Sequence, residues 1–128
     1  MDPQAREALG RKLQSLLTEA GLPEERELIG RKFAFTYEMV VPKGWGEEGL
    51  VRISGTIHGI ELHGNSNGFT LITSQLPRQW TRDTVTPSIS FGINRQPAPW
   101  SIIFYHNDGE GKPDINLHEM FFGDLELL

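Results

Sequence analysis

At 128 residues, with 14 glycines, 8 prolines and no cysteine, the chain reads as one domain (residues 1–128) of short elements and many turns. Without cysteine, disulfides, thiolate catalysis and cysteine-based zinc sites are excluded. The net charge of −5 lies wholly in residues 108–128, where Lys112 faces Asp108, Glu110, Asp114, Glu119, Asp124 and Glu126, a balance that disfavours duplex nucleic acid and favours a cationic partner.

The first residues, Met1-Asp2-Pro3-Gln4, carry no basic stretch leading into an apolar one, and the apolar runs are as short as Ile102 to Tyr105. Neither a leader peptide nor a membrane span is expected, and a cytoplasmic location follows as the expectation.

Apolar residues recur at Ala5, Ala8, Leu9, Leu13, Leu16, Leu17 and Ala20, one face of a 3.6-residue period. Asp2 suits a helix cap, Pro3 the first helical position, and Gly21-Leu22-Pro23 a left-handed stop. Glu7 and Arg11 make a four-apart pair on the outer face, while Gly10 costs about 1 kcal/mol against alanine. Residues 23–29 add one short turn.

Near Gly30 the period changes to two. Phe33, Phe35, Tyr37, Met39 and Val41 alternate through a strand over about 31–41, and their face is expected to bury Leu9, Leu13, Leu16 and Leu17 of the helix. A second strand, about 50–63, starts with Val51, Ile53 and Ile57 on one parity and shifts to Ile60 and Leu62. The shift predicts a glycine bulge at His58-Gly59. Further strands follow over about 69–75, 87–94 and 100–106. In the last, Trp100, Ile102 and Phe104 load one face and Ile103 and Tyr105 the other, as in a central strand covered on both sides.

Residues 115–128 fit two elements. Asn116-x-x-Glu119 resembles a capping box ahead of a stripe at Leu117, Met120, Phe121, Leu125 and Leu128, whereas Ile115, Leu117, Phe121, Leu125 and Leu127 fit a strand. The scarcity of β-branched residues favours a short helix ending at Gly123. The expected fold is therefore α+β: an N-terminal amphipathic helix packed on a mainly antiparallel meander sheet of five or six strands, able to curl towards a half-barrel, with a short C-terminal helix or strand.

Three motif matches fail on their chemistry. Gly44-Trp45-Gly46-Glu47-Glu48-Gly49 has dinucleotide-site spacing, but a strand follows where a helix N-terminus is needed, and two glutamates would repel a phosphate. Gly64-Asn65-Ser66-Asn67-Gly68 has the spacing of an esterase elbow but leads into the strand-like Phe69-Thr70-Leu71-Ile72-Thr73, so it reads as a tight turn. Asn107-Asp108-Gly109-Glu110-Gly111 lacks the alternating acids of a calcium loop. His58, His63, His106 and His118 converge on a metal only if the bulge brings two of them to one face, so neither a metal nor a cofactor is expected.

In an up-and-down meander, loops 42–49, 76–86 and 107–113 share one end of the sheet. They gather Trp45, Arg78, Trp80, Arg82 and Asp108, with Lys43 and Glu110, residue types enriched at binding hot spots. The alternative for each tryptophan is to fold back and plug its own end of the core. With Asp124 and Glu126, these residues point to a non-catalytic protein-binding module, an inhibitor or immunity-type partner of a basic protein. A small-ligand carrier with a pocket between sheet and helix is the second reading, and a small enzyme using His106 with Asp108 the third.

Overall fold

The chain, described here from a computed structural model, is defined over residues 2–39, 49–74, 76–77, 84–85, 87–107 and 113–128. Helix α1 (Pro3–Glu19) is bounded as its sequence dictates. Asp2 Oδ1 accepts from the Ala5 N–H at 2.7 Å, and Pro3 takes the first turn, where a missing N–H costs nothing. The helix stops at Gly21, whose φ of 76° lets the Leu22 N–H reach the Leu17 carbonyl at 2.8 Å. Glu7 and Arg11 form the expected exposed pair at 4.0 Å. One turn, α2 (Glu25–Leu28), follows.

Only the end of α1 is packed. Leu16 and Leu17 are buried and Leu13 is half-buried, but Ala5 and Ala8 are exposed and Leu9 is 38% exposed. The apolar stripe is longer than the surface that receives it, which corrects the expectation that Leu9 buries with the other three.

The strands β1 (Lys32–Met39), β2 (Gly49–Leu62), β3 (Gly68–Thr73), β6 (Ser88–Gly92), β7 (Trp100–Asn107) and β8 (Pro113–Leu127) pair antiparallel in that order, and β8 returns to β1 to close a barrel. An even-numbered meander sets its first and last strands antiparallel, so closure needs no crossover. The curl therefore runs past the expected half-barrel. Two short strands, β4 (Leu76–Pro77) and β5 (Thr84–Val85), form a separate ribbon within the segment expected to be a loop.

Residues 113–127 are strand, correcting the short helix ending at Gly123. Phe33, Phe35 and Tyr37 lie opposite Leu127, Leu125 and Gly123, so β8 satisfies the free side of β1 while Phe121, Leu125 and Leu127 pack on the core. Backbone pairing on two sides outweighs a local helix preference worth tenths of a kcal/mol per residue. Gly123 marks a close approach rather than a helix stop: an added Cβ would strike the Thr36 carbonyl oxygen and lie 2.7 Å from Phe35 Cε1.

The predicted bulge is present. Ile57 pairs with Thr73 and Gly59 with Ile72, leaving His58 as the extra residue and returning Ile60 and Leu62 to the inner face. The interior is filled by rings: Tyr37 stacks on Phe121 at 4.6 Å, and Phe69 stacks on Phe91 at 5.5 Å beside Trp100. Leu16, Leu17 and Leu28 complete this core from the end where β1 begins. Six strands enclose room for side chains and little else. In β7, Trp100, Ile102 and Phe104 are buried inside, while Ile103 and Tyr105 lie half-buried on the outer wall. The two-faced pattern thus marks a barrel wall rather than a strand between two layers.

Candidate functional site

Strand alternation puts the ends of β1, β3 and β7 and the starts of β2, β6 and β8 at one end of the barrel. Trp45, Arg78, Trp80, Arg82, Asp108 and Glu110 all lie outside the described residues, as does Lys43. Asp124 and Glu126 are described, and both are exposed on the outer wall of β8.

That wall continues across β1 onto β2. Asp124 lies opposite Thr36 and Glu126 opposite Ala34, while Arg52 and Leu50 on β2 lie opposite Thr36 and Glu38. Arg52 Nη2 meets Glu126 Oε2 at 3.3 Å, an ion pair reaching across β1, and Ala34 between their strands is fully buried although it faces outwards. Both partners are more than half exposed, so the pair contributes little stability. Asp124 and Glu38 have no ion pair among the described residues. Leu50, 78% exposed, and Met120, 48% exposed, stand on the same wall. The acids thus sit beside apolar side chains that the fold leaves uncovered.

Inside the barrel, Tyr37 approaches the same end. Burial and the nearby Glu119 carboxylate both disfavour its phenolate, and its pKa is pushed up from 10.0 to about 12. In a Tyr105→Phe variant, where Tyr37 is the sole tyrosine, phenolate absorbance is expected to develop only towards pH 12. Folding stability should be intact below pH 10 and fall between 10 and 12, because the unfolded chain loses this proton first. Ionisation at the ordinary value with the fold intact would show that Tyr37 is hydrated.

The opposite end holds a polar cluster that sequence reasoning missed. The turns over 63–67 and 93–99 meet there, and Gly68 on β3 pairs with Gly92 on β6. On the outer wall, Thr70, Ser90 and Ser101 form a row across β3, β6 and β7. Ser90 and Ser101 are buried, 3.2 Å apart at their hydroxyls, and Arg95 Nη1 donates to them at 3.1 and 2.8 Å. His63 Nε2 lies 2.8 Å from Thr70 Oγ1. Desolvation, then the Arg95 charge, lowers the His63 pKa below its usual 6.5, and Glu61 opposes both. The legible signal was the outward hydroxyl at every second residue, together with the same loop parity that had been applied only to the other end.

The Gly64-Asn65-Ser66-Asn67-Gly68 match is the expected turn. Ser66 takes φ 56° and the Asn67 N–H donates to Asn65 Oδ1 at 3.0 Å, with a strand following. His58 is exposed at the bulge, apart from the Thr70–His63 contact, and the side chains of His106 and His118 lie outside the described residues. Among the described residues no three of His, Asp and Glu gather as metal ligands. Among the described residues no helix is long and apolar enough to cross a membrane. No protein family, curated protein or solved structure matches the chain.

Proposed function

We propose that the chain is a non-catalytic protein-binding module for a basic partner, of inhibitor or immunity type, which it engages through the outer wall of β8, β1 and β2. The observation that carries this reading is the juxtaposition on that wall of exposed Leu50 and Met120 with Glu38, Asp124 and Glu126. Apolar side chains beside a surplus of acids over cations suit an interface in which burial sets residence time and charge steers encounter. The carrier alternative has less support, since the space between helix and sheet is filled by Leu16, Leu17 and Leu28 with the core rings.

The test takes a partner captured from the native source and measures its association and dissociation rates. Replacing Asp124 with Asn and Glu126 with Gln is expected to slow association several-fold while leaving dissociation nearly unchanged, and raised salt should abolish the difference, the Debye length being about 8 Å at physiological ionic strength. Asp124 should carry more of the effect, because Glu126 shares its charge with Arg52. Leu50→Ser should instead speed dissociation without changing the melting temperature. Rates indifferent to salt and to all three substitutions would overturn the reading.

A further inference from the structure

The cluster at the end opposite the predicted rim does more than close the wall. An ideal Cβ on Gly92 would fall 2.7 Å from both Nε and Nη2 of Arg95, so the missing side chain leaves the room beside that edge of the guanidinium. A Cβ on Gly68 would stand 3.0 Å from His63 Nδ1 and 3.1 Å from the Gly92 Cα. Two paired glycines therefore clear the wall, one under an imidazole and the other under a guanidinium, and set these groups side by side.

Within the guanidinium the labour is divided. Among the described residues Nη1 makes every side-chain hydrogen bond of Arg95: to Ser90, to Ser101 and, at 3.5 Å, to the Pro99 carbonyl. Neither Nε nor Nη2 has a hydrogen-bond partner among the described residues, and no carboxylate lies within ion-pair distance of Arg95 among them. A guanidinium serving only as a lid on two serines needs Nη1 alone. Here Arg95 is half-exposed, and its Nε–Nη2 edge, the side that grips two oxygens of an oxyanion at once, is left over with no carboxylate paired to it among the described residues.

We propose that Arg95 and His63 form a receptor for a phosphoryl group. A carboxylate would spend both oxygens on the Nε–Nη2 edge, whereas a phosphoryl group keeps a third oxygen for the neighbouring imidazole. The groups facing His63 are Glu61 on β2, which lies across from Thr70, Thr70 itself on β3, and Arg95 in the β6–β7 turn. Burial, and after it the Arg95 charge, disfavours the His63 imidazolium. A bound dianion offsets that positive charge and favours the imidazolium, so binding takes up a proton and strengthens as pH falls. The site is separate from the acidic wall, so it stands or falls independently of the protein-binding reading.

The experiment follows the His63 ring signals of the full chain by NMR during titration with inorganic phosphate, and with sulfate, whose charge is constant over the range. Saturable shifts are expected, with the His63 pKa rising by about one unit on binding. Sulfate affinity should be several-fold higher at about pH 6 than at about pH 8. Arg95→Lys should weaken phosphate about tenfold or more, since a point charge replaces a two-pronged edge. Because Arg95 also covers the serines, His63→Gln is the second variant; it should fold normally and lose the pH dependence of sulfate binding. Glu61→Gln should tighten binding. Tighter binding of a phosphoserine peptide than of phosphate would assign the group to a modified partner chain, and of a sugar phosphate to a small ligand. Acetate binding as well as phosphate, shifts that never saturate, or both variants binding like the parent protein would overturn the proposal.

Discussion

Truncating Leu17 to alanine is expected to cost about 2 to 5 kcal/mol of folding stability, with Leu16→Ala in the same range and Leu9→Ala below about 0.5 kcal/mol. All three residues lie on one stripe of α1, and the stripe alone ranks them equally. The difference comes from what receives them. Leu16 and Leu17 close the core together with Leu28, so truncation opens a cavity among rings that cannot collapse into it. Leu9 is already 38% exposed and leaves no void. Urea denaturation of the three variants reads the contrast. Equal losses at Leu9 and Leu17 would mean that the outer half of α1 is covered in solution.

Gly123→Ala is expected to destabilise by more than about 2 kcal/mol, although alanine is ordinarily the better tolerated residue in a strand. The new methyl group would strike the Thr36 carbonyl oxygen of the neighbouring strand, which cannot retreat without breaking the β1–β8 ladder. Gly10→Ala supplies the control. Nothing lies within 4 Å of a Cβ there, and the exposed helical site should gain up to about 1 kcal/mol. Opposite signs from the same chemical change would separate a steric demand from a propensity effect. Stabilisation by both variants would mean that β8 does not close on β1.

Both results bear on what was readable in the residues alone. The caps of α1, the alternation of Phe33, Phe35 and Tyr37, and the His58-Gly59 shift were legible because each is a local pattern with a local cause. Residues 113–127 were not, because their helical and strand periodicities nearly tie, and what decides between them is the vacant side of β1, about ninety residues away in sequence. Gly123 was misread for the same reason: a glycine that ends a helix and one that admits a neighbouring backbone look alike until the neighbour is known. Of the residues proposed to meet a partner, Asp124 and Glu126 come from charge counting. Leu50 and Met120 were missed, since an apolar residue in a strand is read as buried by default. Arg95 was missed because a single arginine in a turn carries no pattern. Its significance lies in Gly92 beneath it and in the serines Ser90 and Ser101 that hold one of its nitrogens.

The β8–β1 ladder also limits how this protein can meet other chains. Every strand of the ring has a hydrogen-bonded neighbour on each side, and the long β2 divides its length between them: residues 49–56 pair with β1 and residues 57–62 with β3. Where residues 33–37 of β1 meet residues 123–127 of β8, each strand covers the edge of the other, and an incoming strand finds no place there. Recognition at the ring falls to side chains on its outer wall, where a single substitution can change the partner while leaving every backbone pair in place.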